Sequence, residues 1–342
     1  MAFDLPEWPL FGLAEDIRPA LRAATRAGRP CALVTLYALD GGGPRPPGAQ
    51  MLFADGAVSG FLSGGCVEGD VALHAAETLS DGEPRQLVYG EGGPWPDIRL
   101  LCGARIELLV ERVAANDPAA AALLDLTDRR QPALWRTDGR QRAVEAAGPA
   151  QVAACAYTPE PFQVGRLYEP VPRLVVVGAD PTALATAQLG AHAGFETTLV
   201  RPKGPPGPPA LTGFAYSRAE PAEAFAAIGL DPWTAVAVAT HDWDVDQDAL
   251  TAALPSRAAY VGVLGARRRL PERLARLRAA GVGEAALARL KGPIGLDLGG
   301  KAPWEVAVAV IAEIIAERAH RSVDGDADPE LAQAQPRGDA LG

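Results

Sequence analysis

Between residues 171 and 320, four short apolar runs alternate with stretches of helical periodicity: Leu174–Val177, Thr197–Val200, Ala235–Ala239 and Tyr260–Leu264. Runs this short and this apolar are buried on both faces, and strands that return in the same direction need a crossover helix. The alternation predicts an α/β unit, a Rossmann-like doubly wound parallel sheet with right-handed crossovers. The first run opens into Gly178-Ala179-Asp180-Pro181-Thr182-Ala183. A dinucleotide fingerprint reads G-x-G-x-x-G/A at this point, its second glycine letting a pyrophosphate approach the backbone. Gly178 and Ala183 fit, but Asp180 puts a side chain and a negative charge where that glycine belongs. About 20 residues on, where an acid would hold a ribose, stands Arg201, which suits a 2′-phosphate. The fold signal survives these departures and the NAD(P) signal does not. Pro202 to Pro209 is a stiff connector. A last helix, Pro303–Arg318, carries Val310, Ile311, Ile314 and Ile315 at core spacing and leaves Glu313 and Glu317 for water. Residues 321–342 read as a disordered tail.

Residues 10–113 read as an N-terminal α+β domain. A helix over Ile17–Arg26 precedes a buried strand at Cys31–Tyr37. Met51–Phe53 and Val58–Leu62 flank Asp55-Gly56, a dipeptide suited to a two-residue hairpin turn. A helix from Cys66 to Leu79 and strands at Gln86–Tyr89 and Arg105–Val110 complete the domain. Residues 114–170 read as a connecting segment with a helix over Ala119–Leu126 and a hairpin of Ala133–Thr137 with Arg142–Val144. The Rossmann-like domain then spans 171–320.

The 342 residues include 42 acidic and 32 basic side chains, a net charge of −10. That balance argues against a nucleic-acid partner, since duplex affinity rests on neutralising phosphates. No run of 18 apolar residues predicts a membrane span. Met1-Ala2-Phe3-Asp4 does not open a signal peptide, so the expected location is cytoplasmic. The four cysteines, 31, 66, 102 and 155, contain no CxxC pair, and the histidines at 74, 192, 241 and 320 show no zinc-ligand spacing with them.

Two loops of the first domain stand out. In Ser63-Gly64-Gly65-Cys66-Val67-Glu68 the glycines allow a tight turn into a helix start, which favours anions and a thiolate at Cys66. Glu68 either caps the helix or handles a proton. A plain glycine turn with an inert cysteine is the alternative. In Gly41–Met51 three glycines and three prolines stiffen the chain around Arg45, a guanidinium positioned for a phosphate or simply facing water. Cys102-Gly103 offers a second sulfur or a structural thiol. In the Rossmann-like domain, Thr240-His241-Asp242 and the Arg267-Arg268-Arg269 run follow strands, where open α/β sheets bind ligands. His241 is a candidate proton switch, while Asp242 can cap a helix.

Taken in order, the Gly41–Met51 loop, Ser63–Glu68, Cys102-Gly103, the degenerate Rossmann start, Thr240–Asp242, Tyr260–Arg268 and Pro293–Glu305 resemble the XdhC/CoxI family of molybdenum cofactor insertion chaperones. The resemblance implies a non-catalytic protein that binds molybdopterin, in its simple or cytosine dinucleotide form. Such a protein protects the cofactor and delivers it, sulfurated, to an apo-molybdoenzyme of the xanthine dehydrogenase family. A cysteine desulfurase and a second copy of the chain are its implied partners. The implied cofactor site draws on Arg45, Ser63, Gly64, Gly65, Cys66, Glu68, Cys102, His241 and Arg267, with Cys66 as a molybdenum or sulfur contact. Two readings from other classes stand beside it: an NADP-dependent oxidoreductase, and a sulfurtransferase carrying a persulfide on Cys66.

Overall fold

The computed structural model describes residues 3–324 except 44, 94–99, 101 and 149–152. The chain forms two units, Met1–Pro170 and Val171–Gly342. In the first, α1 (Arg18–Arg26) leads into β1 (Cys31–Asp40), β2 (Gln50–Ala54) and β3 (Ala57–Gly60). Then come α2 (Glu68–Asp81), β4 (Arg85–Tyr89), β5 (Arg105–Val113) and α3 (Pro118–Asp128). The strands form an antiparallel sheet ordered β3-β2-β1-β5-β4. Both faces of β1 are covered, which is why its sequence is continuously apolar. Ala32, Val34 and Leu36 pack with Val71 and Ala75 of α2, while Leu33 on the other face joins Leu21 of α1 and Leu123 of α3.

Residues 133–168 build a second antiparallel sheet. Its strands are β6 (Ala133–Thr137), β7 (Arg142–Ala146), β8 (Cys155–Pro159) and β9 (Phe162–Tyr168), ordered β7-β6-β9-β8. The sequence predicts only the first pair. Strand β8 is an exposed edge without an apolar run and leaves little periodicity to read. A buried ion cluster ties this sheet to the first: Arg142 Nε lies 2.9 Å from Glu111 Oε2 and its Nη1 2.6 Å from Asp117 Oδ2. Trp135 and Thr137 also donate to Glu111, so that buried carboxylate is well supplied with partners.

The second unit contains β10 (Arg173–Gly178), α4 (Pro181–His192), β11 (Glu196–Val200), β12 (Phe214–Ser217), α5 (Pro221–Ile228), β13 (Thr234–Ala239) and α6 (Trp243–Ala253). It continues with β14 (Tyr260–Val263), α7 (Leu270–Ala279), α8 (Glu284–Leu287), β15 (Leu290–Lys291) and α9 (Pro303–Asp324). All strand pairs are parallel, in the order β12-β11-β10-β13-β14-β15. Counted from β10 as strand 1 this is 3-2-1-4-5-6, the Rossmann order. Val175 and Val177 enter one core layer, Leu174 and Val176 the other, as a doubly wound sheet requires. Gly178 permits the tight join to α4: a Cβ there would come within 2.4 Å of the Ala239 carbonyl oxygen.

Three expectations need correction. Helix α2 begins at Glu68, so Cys66 stands two residues ahead of it and not in its first turn. Glu313 is not left to water: it accepts from the Tyr260 hydroxyl and, at 2.9 Å, from the Gly295 amide. Glu317 pairs with Lys291 at 2.6 Å. Helix α9 runs to Asp324, past the expected start of the tail, and residues 325–342 lie outside the described residues.

Candidate functional site

Strand direction decides which loops are neighbours. The register pairs Thr35 with Gln50, Asp40 with Arg105, Met51 with Gly60 and Tyr89 with Ile106. The loop after β1, the loop after β3 and the connection from β4 to β5 therefore leave the same end of the sheet. Those segments carry Arg45, Ser63–Cys66 and Cys102. The structure gathers them on one rim.

The Ser63–Cys66 turn is held from below by Glu68, which is 2% exposed. Its Oε1 accepts from the backbone amides of Ser63 at 2.7 Å and Leu62 at 3.2 Å, and its Oε2 from the Ser63 hydroxyl at 2.7 Å and the Val67 amide at 3.3 Å. Ser63 Oγ in turn accepts from the Cys66 amide at 3.1 Å. Glu68 and Ser63 are buried and committed to the loop, which makes them supports for the rim. Gly65 has φ +93°, a region that favours glycine, and among the described residues nothing lies within 4 Å of where a Cβ on Gly64 or Gly65 would stand. Cys66 is exposed at the top of the turn.

The Arg45 loop is clamped at its far end. Arg166 on β9 donates to the Gly48 carbonyl at 2.7 Å, and its guanidinium lies 4.7 Å from the Tyr168 ring centre. Tyr168 donates to Gln50 at 2.8 Å, and Gln50 to Thr35 at 2.9 Å. Arg45 Nη1 reaches Glu15 at 2.5 Å, while its Nε is buried and has no hydrogen-bond partner among the described residues. Glu15 is 69% exposed, so that ion pair is weak and replaceable. A buried N–H without an acceptor calls for one. Cys102 is exposed in a turn closed by Gly103 N–H on the Leu100 carbonyl, and Ala104 backs directly onto Gly41.

His241 and Arg267 belong to the second unit. At the carboxyl end of its sheet, between β10 and β13 where strand order reverses, lies a crevice of about 340 Å³. Asp180, Arg201, His241 and Asp242 line it, with Pro202 and Val245 as apolar wall. His241 Nε2 lies 3.1 Å from Asp180 Oδ2. Arg267 sits instead in an exposed 3-10 turn, Arg267–Arg269, outside this lining.

Sequence reading missed the support beneath His241. Thr240 donates to Asp246 at 2.6 Å, and Arg273 reaches the same carboxylate at 2.8 Å. Asp246 and Arg273 are both buried, and burial pushes the Asp246 carboxyl up from its usual range. Arg273 also lies 4.9 Å from the Trp243 ring centre. A signal is present, since Asp246 falls on the same α6 stripe as Ala249, Leu250 and Ala253, an acid at core spacing.

A rim of glycine loops on an antiparallel sheet is thus followed along the chain by a Rossmann-type unit with its own crevice. Residues 24–90 match the family described as XdhC and CoxI, and residues 174–314 match the XdhC Rossmann domain. Over 321 residues the chain is 33% identical to the molybdenum cofactor insertion chaperone PaoD of Escherichia coli, covering 93% of each chain. It is 26% identical over 319 residues to a Bacillus subtilis protein described as a probable xanthine dehydrogenase subunit, covering 84% of this chain and 92% of that one. A crystal structure from Bacillus halodurans, described as a xanthine dehydrogenase, has the same fold: TM-score 0.69, 22% identity, 89% of this chain and 96% of that one. The chain belongs to the XdhC and CoxI family.

Proposed function

We propose that the protein binds molybdenum cofactor as cargo and delivers it to an apoenzyme of the xanthine dehydrogenase type, without catalysing a reaction itself. Similarity along 93% of the chain to a relative named for that task carries this reading. The rim supplies groups of the right chemistry. Molybdopterin carries a phosphate, and Arg45 has a buried Nε donor without a partner among the described residues. Phosphate binding there displaces Glu15 and completes the hydrogen bonding of the guanidinium. The backbone at Gly64 and Gly65, open among the described residues, lets the pterin approach closely. Cys66, and Cys102 across the rim, are exposed sulfurs for the dithiolene or molybdenum end. The ends of β3 and β5 lie three strand spacings apart, about 14 Å, a span suited to one elongated ligand.

Delivery in sulfurated form belongs to the same reading, with a cysteine desulfurase as sulfur donor and a second copy of the chain as partner. The cofactor is simple molybdopterin or its cytosine dinucleotide. The test is anaerobic purification with and without added cofactor, followed by pterin detection. Wild type should retain pterin, and Cys66→Ala and Arg45→Ala should each retain about a tenth or less, the effect of losing about 1.4 kcal/mol. Equal retention by Cys66→Ala removes that thiol from the site. No retention by wild type removes the function.

A further inference from the structure

The crevice of the second unit sits where Rossmann folds hold a dinucleotide, yet its charged groups do not fit one. A dinucleotide's pyrophosphate rests on the N-terminus of the first helix, against free backbone amides. Here Asp180 occupies that position with its own carboxylate: Oδ1 accepts from the Ala183 amide at 2.8 Å, and Oδ2 faces His241. The second helix pointing at the crevice is closed in the same way, with Asp242 Oδ1 accepting from the amides of Asp244 at 2.9 Å and Val245 at 3.3 Å. Both helix starts thus carry a built-in anion, and a pyrophosphate would meet two carboxylates.

Arg201 is different. It lines the crevice at the carboxyl end of β11, and its stem lies over Gly204 beside Tyr216. Among the described residues its guanidinium has no hydrogen-bond or ion-pair partner, so it is the uncommitted cation of the crevice. A volume of about 340 Å³ is at the small end for ligand pockets and suits one nucleotide, not two. Pro202 and Val245 offer apolar surface to a base, and the exposed His241 imidazole offers a polar contact to a sugar.

We propose that this crevice binds a nucleoside monophosphate through a single phosphate on Arg201, and that Asp180 is the residue that refuses the pyrophosphate of a dinucleotide. The site shares no residue with the cargo rim of the first unit. It needs no reaction step, only discrimination between one phosphate and a bridged pair.

Calorimetric titration of the full chain, purified free of pterin, tests it with 5′-AMP, 2′-AMP, adenosine and NAD+ as probes. At least one monophosphate should bind about tenfold or more tighter than adenosine and NAD+. Arg201→Ala should weaken that monophosphate about tenfold and leave adenosine unchanged. Asp180→Gly should raise NAD+ affinity about tenfold and change the monophosphate less than about threefold. Asp180→Ser, which keeps a cap without the charge, covers the case in which the glycine variant does not fold; it should also gain NAD+ affinity. The proposal is overturned if wild type prefers NAD+, if neither monophosphate binds at about 5 mM, or if Arg201→Ala binds as wild type does. Because the titrations use pterin-free protein, their failure leaves the cargo reading standing, and the converse also holds.

Discussion

Cys31 is 1% exposed inside the first sheet, and burial, reinforced by the nearby Glu111 carboxylate, pushes its thiol up to about 12. Burial likewise pushes Cys155 up to about 11. Cys66 and Cys102 stand in the open. Only the thiolate is nucleophilic, so iodoacetamide at pH 8 should label Cys66 and Cys102 while Cys31 and Cys155 stay unmodified. Raising the pH toward 11 should bring in Cys155 before Cys31. Peptide mass spectrometry over a time course reads this directly, and fast labelling of Cys31 at pH 8 contradicts the packing described. At this scale the sequence distinguishes poorly between buried and exposed polar groups. Along the chain Glu68 reads as a cap or a proton handler, Glu111 falls on the strand face opposite Ile106, Leu108 and Val110, and Asp246 shows only as an acid at core spacing. Glu111 and Asp246 are held by arginines 31 and 27 residues away, Arg142 and Arg273, and such partners become visible only in the fold.

Strands β6 to β9 form an element-level support whose work is done on another sheet. Arg166 carries the clamp: it bonds the Gly48 carbonyl, stacks on Tyr168 and donates to the Leu167 carbonyl. Arg166→Ala should cost about 1–3 kcal/mol through the lost charged hydrogen bond. The sharper consequence is local, with faster exchange of the Gly48 and Ala49 amides, which donate to the Leu36 and Pro46 carbonyls, and unchanged exchange in β10–β13. Unaltered exchange at Gly48 and Ala49 would show that the clamp is not what stiffens the Arg45 loop. The parallel strands of the second unit are readable because each is an apolar run between helices. Strand β12 and the two-residue β15 are not, being short and only half-buried. Helix α2 starts later than the sequence predicts for a physical reason: Gly65 at positive φ and the Glu68–Ser63 bonds hold the chain out of helix until residue 68.

Each unit has its own cores, two sheets in the first and a doubly wound sheet in the second. Separate cores make separate cooperative transitions, so calorimetry of the intact chain should resolve two. Glu68→Gln turns an amide N–H₂ toward donors that now meet a carboxylate oxygen. It should lower one transition by about 2–8 °C, following a loss of about 1–2 kcal/mol, and leave the other in place. A shift of both by the same amount would mean the units unfold as one. The division into an α+β part and a Rossmann part is legible along the chain. The sharing of one site by Arg45, Ser63–Cys66 and Cys102 is implied along the chain only by the family resemblance, because their meeting on one rim depends on strand register, which spacing alone leaves open.

Antiparallel pairing also gives that sheet a second, opposite end, where the β2–β3 hairpin turns at Asp55 and Gly56, both exposed. A fluorophore or affinity tether grafted into this bend would sit a strand's length from the rim. The protein could then be immobilised with its glycine loops facing outward, and capture and release of a guest watched on a surface in real time.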